Sequence, residues 1–179
     1  MKNCIIYLIR ASEEDVNDFI KSIKSLEEYF LPHNPCDILC YHEKDLLPFM
    51  KKIKNSTNVP LNFHEIAFSM PEYYEKFDIP EFFPHPTHGN GPVGWGHPGF
   101  SMGYRHMCRF FTGEVYKQPQ LGKYDYYMRM DTDSFILGPV NYDVFYYMKQ
   151  NNKKYGFIAR AVQRDNPKVI EGLWETSLK

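Results

Sequence analysis

Asn3-Cys4-Ile5-Ile6-Tyr7-Leu8-Ile9-Arg10-Ala11-Ser12-Glu13-Glu14-Asp15-Val16 sets two different patterns back to back. Residues 3–9 are an almost unbroken run of apolar, β-favouring side chains, as in a strand buried on both faces. Ser12 then offers an N-cap oxygen, and Glu13, Glu14 and Asp15 suit the positive end of a helix dipole. Val16, Phe19, Ile20, Ile23, Leu26 and Phe30 come next at helical spacing. Pro32 and Pro35 stop that helix.

The alternation continues outward. Residues 36–42 read as a second strand, 43–54 as a short helix and 61–67 as a third strand. Strands alternating with helices predict an α/β domain with a mixed, mostly parallel sheet flanked by helices. In such sheets ligands bind beyond the carboxyl ends of the strands. Arg10, which closes the first strand, sits where a nucleotide would lie, and its guanidinium suits a base, a ribose or a phosphate. A surface Arg is the competing reading.

Residues 70–100 break the pattern. They are rich in proline and aromatics and include the glycine-rich run Gly89-Asn90-Gly91-Pro92-Val93-Gly94-Trp95-Gly96-His97-Pro98-Gly99. No regular structure is expected there. A long loop inside a compact domain points to function or disorder, and the aromatics argue against plain disorder. Beyond it, residues 101–117 carry a helical pattern around Met102, His106, Arg109 and Phe110. A strand over 124–131 (Tyr-Asp-Tyr-Tyr-Met-Arg-Met-Asp) comes next, then a short apolar run over 134–137 and a helix over 142–151. A strand over 154–160 and a helical tail over 167–178 complete the reading.

The 179 residues suit one domain, 1–179, with a real core; 43% are hydrophobic and 24% charged, as in ordinary globular proteins. The formal net charge of -1 leaves no basic field to attract nucleic acid or an anionic membrane. No run is long and apolar enough to span a bilayer, so the chain as given reads as soluble and cytoplasmic. Cys4, Cys36, Cys40 and Cys108 form no C-x-x-C pair and read as reduced thiols in a reducing compartment. Aromatic residues reach 17%. Most are expected in the core, and some are candidates to stack on a base or sugar.

The chemistry rests on Asp131-Thr132-Asp133 at the end of a strand. Breaking a sugar–diphosphate bond needs the leaving group's charge neutralised, and a divalent cation bridging the phosphates does this. Hard cations such as Mn²⁺ or Mg²⁺ prefer carboxylate oxygens. Asp-x-Asp is short enough to arise by chance. Its position after an apolar strand, rather than in a charged loop, separates it from a solvated acidic turn.

Four blocks carry a family resemblance. Gly103-Tyr-Arg-His-Met-Cys-Arg-Phe-Phe-Thr-Gly113, Tyr124 through Asp133, and Asn141 through Phe157, with Leu173-Trp-Glu-Thr176 after them, resemble the fungal Kre2/Mnt1-type α-1,2-mannosyltransferases, glycosyltransferase family 15. The resemblance is specific over 101–179 and weaker over 1–70. It implies a GT-A fold, a nucleoside-diphosphate sugar with Mn²⁺ at the strand ends, and retaining transfer of mannose from GDP-mannose to a glycan or glycoprotein hydroxyl. Asp131 stands where the family has the metal-binding Glu of Glu-Pro-Asp, Asp133 stands at that motif's Asp, and Tyr104 stands at the active-site Tyr of the Tyr-Arg-His-Met-Cys-Arg block. Asp-Thr-Asp in place of Glu-Pro-Asp keeps metal binding but leaves a UDP-sugar open as donor. Relatives continue beyond Leu-Trp-Glu-Thr, whereas this sequence stops at Lys179. A non-catalytic nucleotide-sugar or glycan-binding module is therefore the alternative function. With no membrane anchor in this chain, the Golgi location of the relatives is not carried over.

Other residues invite weaker readings. Arg105 and Arg109, four apart on a helix, favour ion pairing over phosphate contact. Arg129, expected to face inward, needs a carboxylate partner and reads as a structural salt bridge. His85, His88 and His97 suit a loop closing over the donor better than a zinc site. Trp95 and Tyr104 are stacking candidates. His106 and Cys108, two apart, point in different directions and do not form a nucleophile pair. Glu175 reads as a helix-surface residue.

Overall fold

The computed structural model describes residues 1–70, 72, 76, 82–83, 100–157 and 173–178. The chain divides into two compact units, Met1–Ser69 with Tyr116–Gly156 and Met70–Val115 with Phe157–Lys179. In chain order, β1 (Asn3–Ile9) is followed by α1 (Glu13–Tyr29), β2 (Asp37–His42), a 3-10 turn over Lys44–Phe49, α2 (Met50–Lys54) and β3 (Leu61–Glu65). Then come β4 (Phe82–Phe83), β5 (Phe100–Ser101), α3 (Met102–Thr112), β6 (Tyr126–Arg129), α4 (Val144–Gln150) and a last helix over Leu173–Ser177.

The first unit is built on a four-stranded sheet of order β3-β2-β1-β6. All three pairings are parallel: Cys4 lies opposite Asp37, Ile38 opposite Leu61 and Asn3 opposite Tyr126. The expected α/β architecture is the one observed, and this sheet is parallel throughout. Consecutive residues of central β1 are buried, so both of its faces are covered, which is why its sequence is apolar without alternation.

One face of the sheet makes the main core. Ile5, Tyr7 and Ile9 of β1 and Ile38 and Cys40 of β2 cluster with Val16, Phe19, Ile23 and Leu26 of α1. Tyr7 and Phe19 meet edge to face, with centroids 5.0 Å apart. Each such side chain contributes about 1.5–3 kcal/mol by leaving water. α1 starts where its sequence signals place it, with Ser12 Oγ accepting from the Asp15 amide at 3.1 Å. Phe145 of α4 closes the far end against Phe30, 6.3 Å between centroids.

Several sequence expectations need correction. Residues 43–54 are not one helix: Pro48 lies inside a 3-10 turn, and only Met50–Lys54 is α-helical. Proline removes an amide donor and crowds the preceding turn, which favours this tighter start. The loop over 70–100 is not wholly irregular, since Phe83 pairs with Phe100 and Phe82 with Ser101, antiparallel. The expected strand over 154–160 does not form across 154–157, and 158–160 lie outside the described residues.

In the second unit, α3 is capped by Ser101, whose Oγ accepts from the Tyr104 amide, and it stops at Thr112 with Gly113 bonded back to Arg109 O at 3.1 Å. The helical reading of 101–117 is therefore right for 102–112, with a 3-10 turn over Glu114–Lys117. The tail is helical over Leu173–Ser177; residues 167–172 lie outside the described residues.

Candidate functional site

The strand order sets the place. The chain runs from β1 outward to β2 and β3, then returns to add β6 on the other side of β1. The direction of winding therefore reverses between β1 and β6. At such a point the connections leave opposite faces of the sheet, and a crevice opens beyond the carboxyl ends of the two strands. Arg10 directly follows β1, and Asp131-Thr132-Asp133 lies just past the end of β6. The parallel ladder continues to the threshold of the acids, with the Met130 amide donating to Ile6 O at 3.0 Å. Three of the residues singled out in the sequence thus share one edge of one sheet, at its switch point.

The chain then turns. The Ser134 amide donates to Asp131 O at 3.0 Å, closing a turn that presents Asp131 and Asp133 to solvent. Arg129 holds Asp131 from the side, with Nε donating to Oδ1 at 3.0 Å and Nη2 lying 2.9 Å from Oδ1 and 3.3 Å from Oδ2. The expected salt bridge is present, but the inward orientation is not. Among the described residues β6 is an edge strand, and both partners stay about half exposed, at 41% and 52%. On the same strand face, Tyr127 shares a 2.8 Å hydrogen bond with Tyr116, and desolvation first, then that bond, pushes its phenol well above the ordinary range. It stays neutral.

Helix α1 fixes the segment just after the turn. Ser22 Oγ donates to Ser134 O at 2.5 Å, and the Ile136 amide donates to Ser25 Oγ at 3.0 Å. The Val140 amide reaches Tyr29 O at 2.8 Å, and buried Asn34 bonds Tyr142 O and the Val144 amide at 2.9 and 2.7 Å. Segment 134–144 is therefore sewn to α1 and the turn that ends it. None of these anchors stands out in the sequence. Ser22 had a signal: it falls on the apolar face that Phe19, Ile23 and Leu26 define.

The donor set fits a hard divalent cation. Among the described residues no group of three or more His, Cys, Asp or Glu side chains gathers as a self-sufficient cage. Two exposed carboxylates at a strand end match an ion that takes one or two protein oxygens and completes its shell with phosphates and water. Arg129 already supplies a positive partner at that position.

Tyr104 lies in the second unit, at the start of α3, and is 49% exposed. Arg105 Nε donates to Ser101 O at 3.4 Å, and Arg109 Nε is buried without a hydrogen-bond partner among the described residues. Trp174 is 69% exposed. His85, His88, His97 and Trp95 lie outside the described residues. A depression of about 320 Å³ lined by Met1, Lys2, Asn3, Pro35, Cys36 and Asp37 lies at the amino ends of the strands and contains none of the candidates. No helix among the described residues is long and apolar enough to cross a membrane.

Known proteins share this fold. A family model described as glycolipid 2-alpha-mannosyltransferase matches residues 1–179. The probable mannosyltransferase KTR3 of Saccharomyces cerevisiae is 30% identical over 182 residues, covering 99% of this chain and 43% of the relative. The crystal structure of the mannosyltransferase Ktr4p from S. cerevisiae in complex with GDP matches with a TM-score of 0.69 at 25% identity, covering 99% of this chain and 44% of that one. Core-mannan synthase A of Aspergillus fumigatus, in a Mn/GDP form, shares the fold with a TM-score of 0.68 at 22% identity, over 99% of this chain and 46% of its own. This chain spans less than half the length of these relatives.

Proposed function

From a chain that belongs to the glycolipid 2-alpha-mannosyltransferase family, we propose the donor-binding part of a metal-dependent glycosyltransferase that moves mannose from GDP-mannose to a glycan hydroxyl with retention. The observation that carries this reading is the shared switch-point edge of Arg10 and the Asp131–Asp133 turn. The GDP bound by Ktr4p supports guanine as the base.

In this reading Asp131 and Asp133 hold Mn²⁺ or Mg²⁺ through hard carboxylate oxygens. The ion supplies Lewis-acid neutralisation of the diphosphate leaving group. Arg10 offers its planar fork to a phosphate or ribose oxygen at the end of β1. Arg129, which pairs with Asp131, would supply a positive charge to a diphosphate bound at this turn. The resemblance adds Tyr104 as an active-site residue of the same reaction. Because the relatives are more than twice as long, the acceptor side of the reaction rests on the family resemblance alone.

The test is calorimetric titration of GDP with and without Mn²⁺. The expected result is Mn²⁺-dependent binding in the native sequence and its loss in Asp131→Ala. Nucleotide affinity unchanged by the substitution would overturn the reading. Tight binding of GDP-mannose without Mn²⁺-dependent release of GDP would assign a binding module instead.

A further inference from the structure

We infer that Ser22, backed by Tyr7, is a positioning residue for the acidic turn. This inference rests on the donor-site reading above. Ser22 sits inside the apolar core between Phe19 and Ile23, and both Ser22 and Tyr7 are fully buried. Its hydroxyl has one hydrogen. Ser134 offers a carbonyl, which only accepts, so that hydrogen goes to Ser134 O. Tyr7 OH, 2.8 Å away, must then donate to Ser22 Oγ. The result is a directed chain from β1 through α1 to the residue whose own amide closes the turn on Asp131. Ser25, one helical turn on, repeats the device by accepting from the Ile136 amide.

A core selected for packing alone would carry an apolar residue at position 22, since a buried hydroxyl adds little net stability and is costly when left unpaired. What the pair adds is direction. It ties the carboxyl side of the turn to the same helix and strand that flank Arg10, so Asp131 and Asp133 are held without contacting Ser22. Groups bonded directly to metal ligands typically change metal affinity by about 10–100-fold when removed; Ser22 acts one bond further back, so the low end of that range applies.

The experiment compares the full chain with the double variant Tyr7→Phe/Ser22→Ala, which removes both hydroxyls and leaves no orphaned buried donor. Ser134 O loses its donor, but that bond is only part-buried, so the cost stays that of one partly solvated carbonyl and the chain remains folded. A urea melt verifies this. The two readouts are hydrogen exchange of the Ser134 amide and the affinity for GDP in Mn²⁺. We expect exchange at Ser134 about tenfold faster and GDP–Mn²⁺ binding about tenfold weaker, with exchange in β2 unchanged. Native-like exchange and affinity in the double variant overturn the inference. If the native chain binds no GDP–Mn²⁺, the donor-site reading fails, and Ser134 exchange alone decides whether the pair positions the turn. Should the double variant unfold, Ser22→Ala and Tyr7→Phe singly give the same two readouts, and native values in both overturn the inference.

Discussion

Arg129 and Asp131, two residues apart, are locked together at the sheet edge, with Nη2 2.9 Å from Oδ1. A cation that uses Asp131 must compete with that guanidinium. The pair is half exposed, so its own strength is no more than about 1 kcal/mol, and the competition is mild. Arg129→Met is expected to raise the affinity for Mn²⁺ alone by about two- to fivefold. The same variant should weaken GDP binding in saturating Mn²⁺, because a positive charge beside the diphosphate is gone. Titration of Mn²⁺ with and without GDP checks both signs. Weaker binding of the free ion would show that Arg129 orders the carboxylate rather than competing for it.

Phe19 lies edge to face on Tyr7 and is fully buried between α1 and the sheet. Phe19→Ala should destabilise the chain by about 3–5 kcal/mol through lost burial and the cavity left behind. The measurement is the urea midpoint at unchanged slope. A loss below about 1 kcal/mol would mean that the site collapses around the smaller side chain.

His64 on β3 has its Nε2 buried without a hydrogen bond among the described residues, and its pKa is lowered by desolvation first, then by Lys123 and His42. Its folded value thus lies below its unfolded value of 6.5. The unfolded chain binds the proton more readily, so this contribution is whole above 6.5 and is lost as pH falls through the folded pKa. Thermal midpoints should drop between about pH 7 and pH 5, and His64→Gln should flatten that part of the profile. An equally steep profile in the variant would place the proton uptake elsewhere.

Three thiols are predicted to be inert in the native state. Desolvation, with nearby acidic groups, pushes Cys4 and Cys36 up to about 12, and burial pushes Cys40 higher still. The thiolate is the reactive form. A disulfide reagent at about pH 8 should therefore modify at most Cys108 rapidly, and all four thiols only in denaturant. Prompt reaction of more than one thiol per chain would contradict the burial assigned to the sheet.

The strand–helix–strand opening is legible because continuous apolar runs and a Ser12 cap are local signals, read without knowing what packs on them. The acidic turn is legible as a position, since an apolar strand leads directly into Asp131. Other features depend on context that no single segment contains. Arg129 is expected to face inward, yet it takes the face opposite Met128 and Met130 on a strand that is at the edge among the described residues, and its side chain stays at the surface. Of the serines of α1, Ser22 is marked only by falling on the apolar face, and Ser25 gives no warning, because an isolated hydroxyl in a helix does not name its partner. Only the return of the chain at 134–144 gives Ser22 and Ser25 their partners.

The pairing of residues 3–6 with 126–129 has a consequence for biosynthesis. Three strands are complete by Glu65, but the strand that pairs β1 on its other side emerges only some 60 residues later, a wait of about 3–12 seconds at roughly 5–20 residues per second. Throughout that interval β1 offers a bare, apolar hydrogen-bonding rim to anything extended nearby, which is the usual template for aggregation. A ribosomal product released before Tyr126 would keep that rim for good, so nascent chains stalled in this window are natural clients for a chaperone.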